Sequence, residues 1–137
     1  MGGIYMNKKG LIIEPQFGIR QLLKEQLKSK GYMTFEAECM SDIYQTLTKH
    51  EIDFIILDIN YPVTTGLGLL MKINNFKPAL KVFVMSANGE SRFIQEAFEL
   101  GASAYFLKPF DINHVCKAIE RELQENNELE DAHLMSV

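Results

Sequence analysis

The sequence predicts a doubly wound α/β fold, in which five parallel strands form one sheet with helices on both of its faces. Two observations carry this prediction. Short apolar runs alternate with stretches in which apolar residues recur at helical spacing, and this alternation occurs about five times along the chain. The run at residues 54–57 is entirely apolar, which is typical of a strand buried on both faces of a parallel sheet.

Each predicted strand is an apolar run that stops at a polar residue or at proline. The first run stops at Glu14-Pro15, because proline cannot donate a ladder hydrogen bond and forces the preceding residue into an extended conformation. The third run stops at Asp58, and the fourth stops at the hydroxyl of Ser86. The five predicted strands are residues 11–13, 32–37, 53–58, 81–86 and 104–107.

The helices are predicted from apolar stripes and from residues that begin or end a helix. Gly31 and Gly101 stand where the first and fourth helices should stop. Ser41 or Asp42 is the expected N-cap of the second helix, and Asp111 is that of the fifth. The stripes are Ile19, Leu22, Leu23 and Leu27; Ile43 and Leu47; Leu67, Leu70 and Met71; Phe93, Ile94, Ala97 and Phe98; and Ile112, Val115, Cys116, Ile119 and Leu123.

Length and composition predict a single globular domain, since the chain has 137 residues and a hydrophobic content of 47%. We expect a loose N-terminal lead at residues 1–9, the domain at 10–125 and a flexible C-terminal tail at 126–137. A formal net charge of −4 without a basic stripe argues against nucleic-acid binding. No apolar run approaches the roughly 20 residues that a membrane helix needs. Cys39 and Cys116 form no metal-binding motif, so a reducing, cytoplasmic location is expected.

Four predicted strand ends carry polar side chains that suit phosphoryl transfer, namely Glu14, Asp58, Ser86 and Lys108. In a flavodoxin-like sheet of order 2-1-3-4-5, the first, third, fourth and fifth strands are neighbours, so these side chains should share one cleft. Carboxylates hold Mg²⁺ and one of them can attack phosphorus, while a hydroxyl and an ammonium group bind the phosphoryl oxygens. Taken singly, each residue is explained equally well as the polar end of a buried strand.

Three short motifs turn this set of residues into a family resemblance. They are Met85-Ser86-Ala87, Lys108-Pro109-Phe110 and Glu99-Leu100-Gly101-Ala102. Together with the strand that ends in Asp58, they resemble the CheY-like receiver domain of two-component response regulators, from about Gly10 to Leu123. Within that family, the resemblance is closest to the single-domain regulators of sporulation phosphorelays.

The resemblance implies a role for each residue of the cleft. Asp58 takes the position of the phosphoacceptor, Ser86 that of the switch hydroxyl, and Lys108 that of the lysine that contacts the phosphoryl group. Tyr105 takes the position of an aromatic residue that moves on activation. The implied magnesium ligands are Glu14, Asp58 and the backbone carbonyl of Asn60. The implied partner surface consists of Gln16, Gly18, Ile19, Leu22, Pro109 and Phe110.

One departure from the family pattern affects the metal site. Receiver domains carry an acidic pair after the first strand, whereas this chain has Glu14-Pro15. Proline has no side-chain oxygen, so the cleft offers two carboxylates instead of three. Since Mg²⁺ demands oxygen ligands in near-ideal octahedral geometry, we expect a weakened magnesium site or none.

Two functions stay open within this resemblance. In the first, the chain is a single-domain receiver that accepts a phosphoryl group on Asp58 from a sensor histidine kinase or a phosphotransferase protein, and relays the signal through protein contacts. In the second, it is a pseudo-receiver, an interaction module that acts without phosphorylation because Pro15 replaces an acidic ligand. Neither is an enzyme beyond magnesium-dependent phosphorylation and dephosphorylation of itself. We expect a monomer or weak dimer with no nucleic-acid or membrane partner.

Two functions from other classes fit the sequence less well. A phosphatase of the haloacid-dehalogenase type would need a second aspartate, which Asp58-Ile59-Asn60 lacks, and a cap domain for which the chain has no room. A flavin-binding flavodoxin would need a phosphate loop rich in Ser, Thr and Gly after the first strand. Metal-dependent hydrolysis of a phosphomonoester would support the phosphatase, and a yellow purified protein would support the flavodoxin.

Overall fold

A computed structural model describes residues 8–60 and 66–135, with side chains up to residue 124. Its five strands are parallel and form one sheet in the order β2-β1-β3-β4-β5, which confirms the predicted fold class and strand order. The strands are β1 (Lys9–Ile13), β2 (Met33–Glu36), β3 (Phe54–Asp58), β4 (Lys81–Ser86) and β5 (Ala104–Leu107). The helices are α1 (Phe17–Ser29), α2 (Met40–Lys49), α3 (Gly66–Phe76), α4 (Ser91–Glu99) and α5 (Ile112–Met135).

The sheet separates two hydrophobic cores. On one face, α1 and α5 bury Leu23, Leu27 and Ile119 against alternate residues of the central strands. On the other face, α2, α3 and α4 bury residues such as Leu47 and Ile73 against the intervening strand residues. All five residues of β3 are buried, as expected for a central strand covered on both faces.

The strand register places the carboxyl ends of four strands at one edge of the sheet. Ile13 pairs with Leu57, so Glu14 follows β1 at the level of Asp58. Asp58 pairs with Met85, one residue before Ser86 ends β4. Because parallel strands end at the same edge, the polar residues that close them are brought together there.

Two glycines allow a close approach that a side chain would prevent. A Cβ atom on Gly66 would overlap the backbone carbonyl of Ile59, so glycine lets the start of α3 pack directly on the chain that leaves β3. Gly10 pairs with Phe54 on the neighbouring strand β3. A Cβ atom on Gly10 would overlap the aromatic ring of Phe54. The ring of Phe54 also contacts Tyr32 and Phe83 edge-to-face, at centroid distances of 5.4 and 6.2 Å.

Helix caps were predicted with mixed success. Asp111 was predicted correctly, since its Oδ1 accepts a hydrogen bond of 2.9 Å from the backbone N–H of Asn113. The prediction of Ser41 or Asp42 as the cap of α2 is wrong, because the cap residue is Cys39 and the helix begins at Met40.

The ends of the domain also differ from the expectation. Lys9, expected in a loose lead, belongs to β1 and pairs with Met33, whereas residues 1–7 lie outside the described part. A flexible tail was expected at 126–137, but α5 continues to Met135. Within the described residues, no helix is both long and apolar enough to cross a bilayer.

Candidate functional site

The centre of the site is the ammonium group of Lys108, which bonds two carboxylates at once. Its Nζ lies 2.7 Å from Oε1 of Glu14 and 2.7 Å from Oδ2 of Asp58. Both carboxylates are buried, and the lysine side chain is largely buried as well. Lys108 follows β5 directly, so its backbone is fixed by a hydrogen bond of 2.7 Å from its N–H to the carbonyl of Ser86. Three of the four predicted strand-end residues are therefore in direct contact.

The second oxygen of Asp58 is held by the loop that follows β3. The backbone N–H of Asn60 donates a hydrogen bond of 2.8 Å to Oδ1 of Asp58. The preceding N–H, that of Ile59, donates to the carbonyl of Met85 and ties this loop to the end of β4. The Asp58 carboxylate is thus oriented by a backbone donor on one oxygen and by an ammonium group on the other.

The Ser86 hydroxyl lies next to this pair and is engaged by the surrounding loops. Its Oγ accepts a hydrogen bond of 3.0 Å from the backbone N–H of Asn88 and one of 3.3 Å from the side-chain amide of Asn60. The carbonyl of Asn88 in turn accepts a hydrogen bond of 2.5 Å from the Tyr105 hydroxyl. Ser86 and Tyr105 therefore belong to one network that runs through the loop after β4.

The pKa values of the two carboxyl groups move in opposite directions. Burial, and then the contact with Asp58, raise the pKa of Glu14 to about 8. Burial also opposes ionisation of Asp58, but hydrogen bonds with Glu14, Lys108 and the Asn60 N–H outweigh it and lower the pKa of Asp58. The two carboxylates outweigh the effect of burial on Lys108 and raise its pKa. At neutral pH the metal-free site therefore holds a protonated Glu14, an ionised Asp58 and a charged lysine.

One buried oxygen atom of the site is free to bind a metal ion. Oε2 of Glu14 is buried and has no hydrogen-bond partner among the described residues. A divalent cation would satisfy this oxygen, and Glu14, Asp58 and the Asn60 carbonyl are the groups that would hold it. No group of three Asp, Glu, His or Cys side chains suited to a metal occurs in the described part of the chain. Pro15 is exposed and has no side-chain oxygen to add, so the donor set fits Mg²⁺ held by two carboxylates, the Asn60 carbonyl and otherwise water.

The residues of the predicted partner surface lie beside this cleft with different degrees of exposure. Gln16, Gly18 and Pro109 are exposed, and Leu22 is 43% exposed. Ile19 and Phe110 are half-buried and pack against the core between α1 and α5.

Sequence reasoning missed two apolar residues near this surface. Phe17 begins α1 and is 67% exposed, and Leu107 ends β5 and is 49% exposed. The exposure of Phe17 could have been predicted from its position. It precedes Ile19, the first residue of the apolar stripe of α1, so helical spacing gives it no contact with the core.

Arg20 is a further residue that the sequence did not single out. Its guanidinium donates a hydrogen bond of 2.8 Å to the carbonyl of Glu14 and pairs with Glu36 at 3.1 Å. It also lies over the ring of Phe17, 5.6 Å from the ring centroid. Arg20 thereby ties α1 to the segment that positions Glu14, a contact that helical spacing alone could not indicate.

The model of the response regulator receiver domain family matches residues 11–120 of this chain. The chain belongs to this family. This result confirms the family that the strand-end motifs predicted.

Relatives and solved structures agree with this membership. The receiver domain is 38% identical over 118 residues to the sporulation initiation phosphotransferase F of Bacillus subtilis, covering 86% of this chain and 95% of that protein. A two-component response regulator from Clostridium difficile has a TM-score of 0.82 at 25% identity, covering 88% of this chain and 99% of the other. A CheY-like receiver domain protein from Methanospirillum hungatei has a TM-score of 0.81 at 22% identity, with coverages of 89% and 98%, and shows the same fold.

Membership settles the general class of the protein. A receiver domain is a signalling domain rather than a conventional enzyme, and receiver domains use Mg²⁺ at the phosphorylation site. The similarity to a sporulation phosphotransferase along almost its whole length supports the predicted sporulation-type, single-domain regulator.

Proposed function

We propose that Asp58 accepts a phosphoryl group from a phosphohistidine of a sensor histidine kinase or a phosphotransferase protein, and that the chain passes the signal on by protein contact. The observation that carries this proposal is the geometry of Asp58, whose carboxylate is bonded to the Lys108 ammonium group at 2.7 Å and to the Asn60 N–H at 2.8 Å, contacts that hold it in the ionised form. An ionised carboxylate is the form that attacks phosphorus.

The transfer step requires little beyond positioning and charge. A carboxylate oxygen of Asp58 forms a bond to phosphorus while the bond between phosphorus and the histidine nitrogen breaks, and the proton needed by that nitrogen comes from solvent. Lys108 is placed to neutralise the phosphoryl oxygens, and Ser86 can donate its hydroxyl hydrogen to them. Glu14, Asp58 and the Asn60 carbonyl would hold Mg²⁺, which supplies further neutralisation of the phosphoryl charge.

The surface beside Asp58 supports a role for protein partners. Four exposed residues lie at the start of α1, close in sequence to Glu14 at the end of β1: Gln16 at the N-cap, and Phe17, Gly18 and Leu22 on the first turns. A helical-bundle phosphotransferase or a kinase dimerisation domain would contact these residues while its histidine reaches Asp58. The cytoplasm, where kinases of this class carry their phosphohistidine, is the compartment that the proposal assigns.

A second function is favoured by Pro15 and by the arrangement of Lys108. Pro15 contributes no side-chain oxygen, and without a metal ion Lys108 already neutralises Asp58 and contacts Glu14, whose raised pKa keeps it protonated. A pseudo-receiver would keep this closed, metal-free site and bind its partner through the same surface.

Intact-mass measurement distinguishes the two functions. The chain is incubated with Mg²⁺ and either acetyl phosphate or a phosphorylated histidine phosphotransferase domain. Under the proposal, one phosphoryl group is gained by the wild type and by Asp42→Asn, a matched control at an exposed aspartate of α2, but not by Asp58→Asn. No gain in the wild type from either donor would contradict the proposal and support the pseudo-receiver.

A further inference from the structure

The base of the molecule, which is the end of the sheet opposite Asp58, contains a shallow cavity of about 340 Å³. It lies where α2 ends and where the segment after α3 leads into β4. Leu47, Ile52 and Leu80 form its apolar floor, and all three also pack in or against the core on that face of the sheet.

The rim of this base cavity is positively charged. Lys49 and Lys77 are exposed on it, and neither forms an ion pair with an acidic residue of the described part of the chain. The ammonium group of Lys77 instead lies over the ring of Phe76, 5.5 Å from its centroid. An aromatic ring carries no net charge, so the positive charge of Lys77 is not neutralised by this contact. Among the described residues Glu51 is the one carboxylate that lines the cavity, so the two lysines make the rim attractive to a negatively charged ligand.

Helix α5 extends past this end of the molecule. It has 24 residues and is therefore about 36 Å long, whereas β4, with 6 residues, spans about 20 Å. Its residues Glu120 and Glu122 already pair with Lys30 and Lys81, which lie at the base. The backbone of residues 125–135, called here the acidic extension, continues as helix beyond those contacts.

The composition of the acidic extension complements the cavity. It contains four acidic residues and no Lys or Arg, and these four carboxylates account for the whole formal net charge of −4, because residues 1–124 have equal numbers of acidic and basic residues. It also contains Leu129 and Leu134, residues of the kind that an apolar floor accepts.

The extension cannot reach the cavity of its own molecule. It has no Pro or Gly at which the helix could turn back, and a straight continuation of α5 leads away from the base. The complementary surface within its reach belongs to another molecule. We propose that the base cavity of one molecule binds the acidic extension of a second copy, and that a two-fold axis repeats this contact with the roles exchanged.

Sedimentation equilibrium of the full chain tests this proposal by charge exchange. Lys49→Glu/Lys77→Glu reverses the charge of the rim, and Glu125→Lys/Glu128→Lys/Asp131→Lys changes the charge of the extension from −4 to +2. Each of these two charge-reversal variants alone should be monomeric. An equimolar mixture should dimerise, because each extension then faces a base of opposite charge. For the wild type, raising NaCl from about 50 mM to about 500 mM should weaken the dimer at least about tenfold, since exposed charges are screened.

Matched controls keep the test specific. Arg92→Glu and Glu96→Lys change exposed charges on α4 and should leave the dimer as it is in the wild type. Circular dichroism verifies folding, and Lys49→Gln/Lys77→Gln replaces the reversed rim if that variant unfolds. A monomeric wild type at low salt, or a dimer that either charge-reversal variant forms as well as the wild type, would overturn the proposal. Failure of the mixture to dimerise would overturn it as well.

Discussion

Burial and the neighbouring Asp58 raise the pKa of Glu14 and make it the group that holds a proton, although the ammonium group of Lys108, which contacts both carboxyl groups, acts to lower that pKa. A carboxyl group with a raised pKa stabilises the folded state fully below its ordinary pKa of 4.5. That contribution is lost as the pH rises through its folded value of about 8. Asp58 acts in the opposite sense, because its lowered pKa gives stability that is lost as the pH falls below its ordinary range.

The first prediction is that Glu14→Gln removes a pH-dependent loss of stability. In the presence of EDTA, the free energy of unfolding of the wild type should fall between about pH 5 and about pH 9, because Glu14 must ionise in a buried site. The amide side chain of this variant cannot ionise, so its stability should change less, and it should exceed the wild type near pH 9. Urea unfolding at several pH values measures this. Glu25→Gln, at an exposed glutamate of α1, should follow the wild type.

The second prediction concerns Pro15, which stands where an acidic ligand is expected. Pro15→Asp adds an oxygen ligand and a negative charge, so the dissociation constant for Mg²⁺ should fall by about tenfold or more. Isothermal titration calorimetry of the two proteins measures the difference. Equal affinities would show that position 15 does not reach the metal.

At the scale of single elements, α1 carries the proposed partner contact. A Cβ atom on Gly18 would meet no heavy atom of the described residues within 4 Å, so a large side chain meets no clash with them. The third prediction is that Gly18→Arg abolishes binding to a histidine phosphotransferase domain while the melting temperature stays the same or rises slightly, since glycine is a poor helix former. A pull-down and thermal unfolding monitored by circular dichroism are the two measurements.

A control on the same helix separates docking from a general effect of charge. Glu25→Arg changes an exposed residue further along α1 and should keep full binding. Undiminished binding by Gly18→Arg would place the contact elsewhere on the molecule.

Sequence reasoning located the elements well and their ends less well. The predicted β4 and β5 coincide with the observed strands, because buried apolar runs bounded by turn residues are a strong local signal. The start of α2 was missed because its N-cap residue is Cys39. Cysteine is not a residue type that marks an N-cap in a sequence, and its side chain makes no cap hydrogen bond here. The end of α5 was missed because residues 126–137 were interpreted as a tail, whereas helix continues to Met135.

At the scale of the whole molecule, the convergence of Glu14, Asp58 and Lys108 followed from topology alone. Each closes a strand, and parallel neighbours deliver their ends to one edge. What the sequence could not give was the double contact of Lys108, since it depends on side-chain conformation and on the distance between the two carboxylates. The hydrogen bond from Arg20 to the Glu14 carbonyl was not predicted for the same reason.

The fourth prediction is that the two cores unfold as one unit, because they share the same sheet. Leu27→Ala in the core of α1 and α5, and Leu47→Ala in the core of α2 to α4, should each cost about 2–5 kcal/mol. Both variants should shift a single urea transition seen alike by circular dichroism and tyrosine fluorescence. Two separate transitions, with each variant moving one of them, would contradict this.

The close approach of the Phe54 ring to Gly10 restricts which substitutions this sequence can accept during evolution. The Phe54 ring fills the space that a side chain at residue 10 would need. A methyl group gained at residue 10 must therefore be matched by atoms lost at residue 54. In a double-mutant cycle, Gly10→Ala should be costly in the presence of Phe54 and much less so beside Phe54→Leu, as urea unfolding would measure. Equal costs in both backgrounds would mean that the ring moves aside freely. Otherwise, substitutions at these two sites are tied to each other, and relatives with a larger residue at the first position should carry a smaller one at the second.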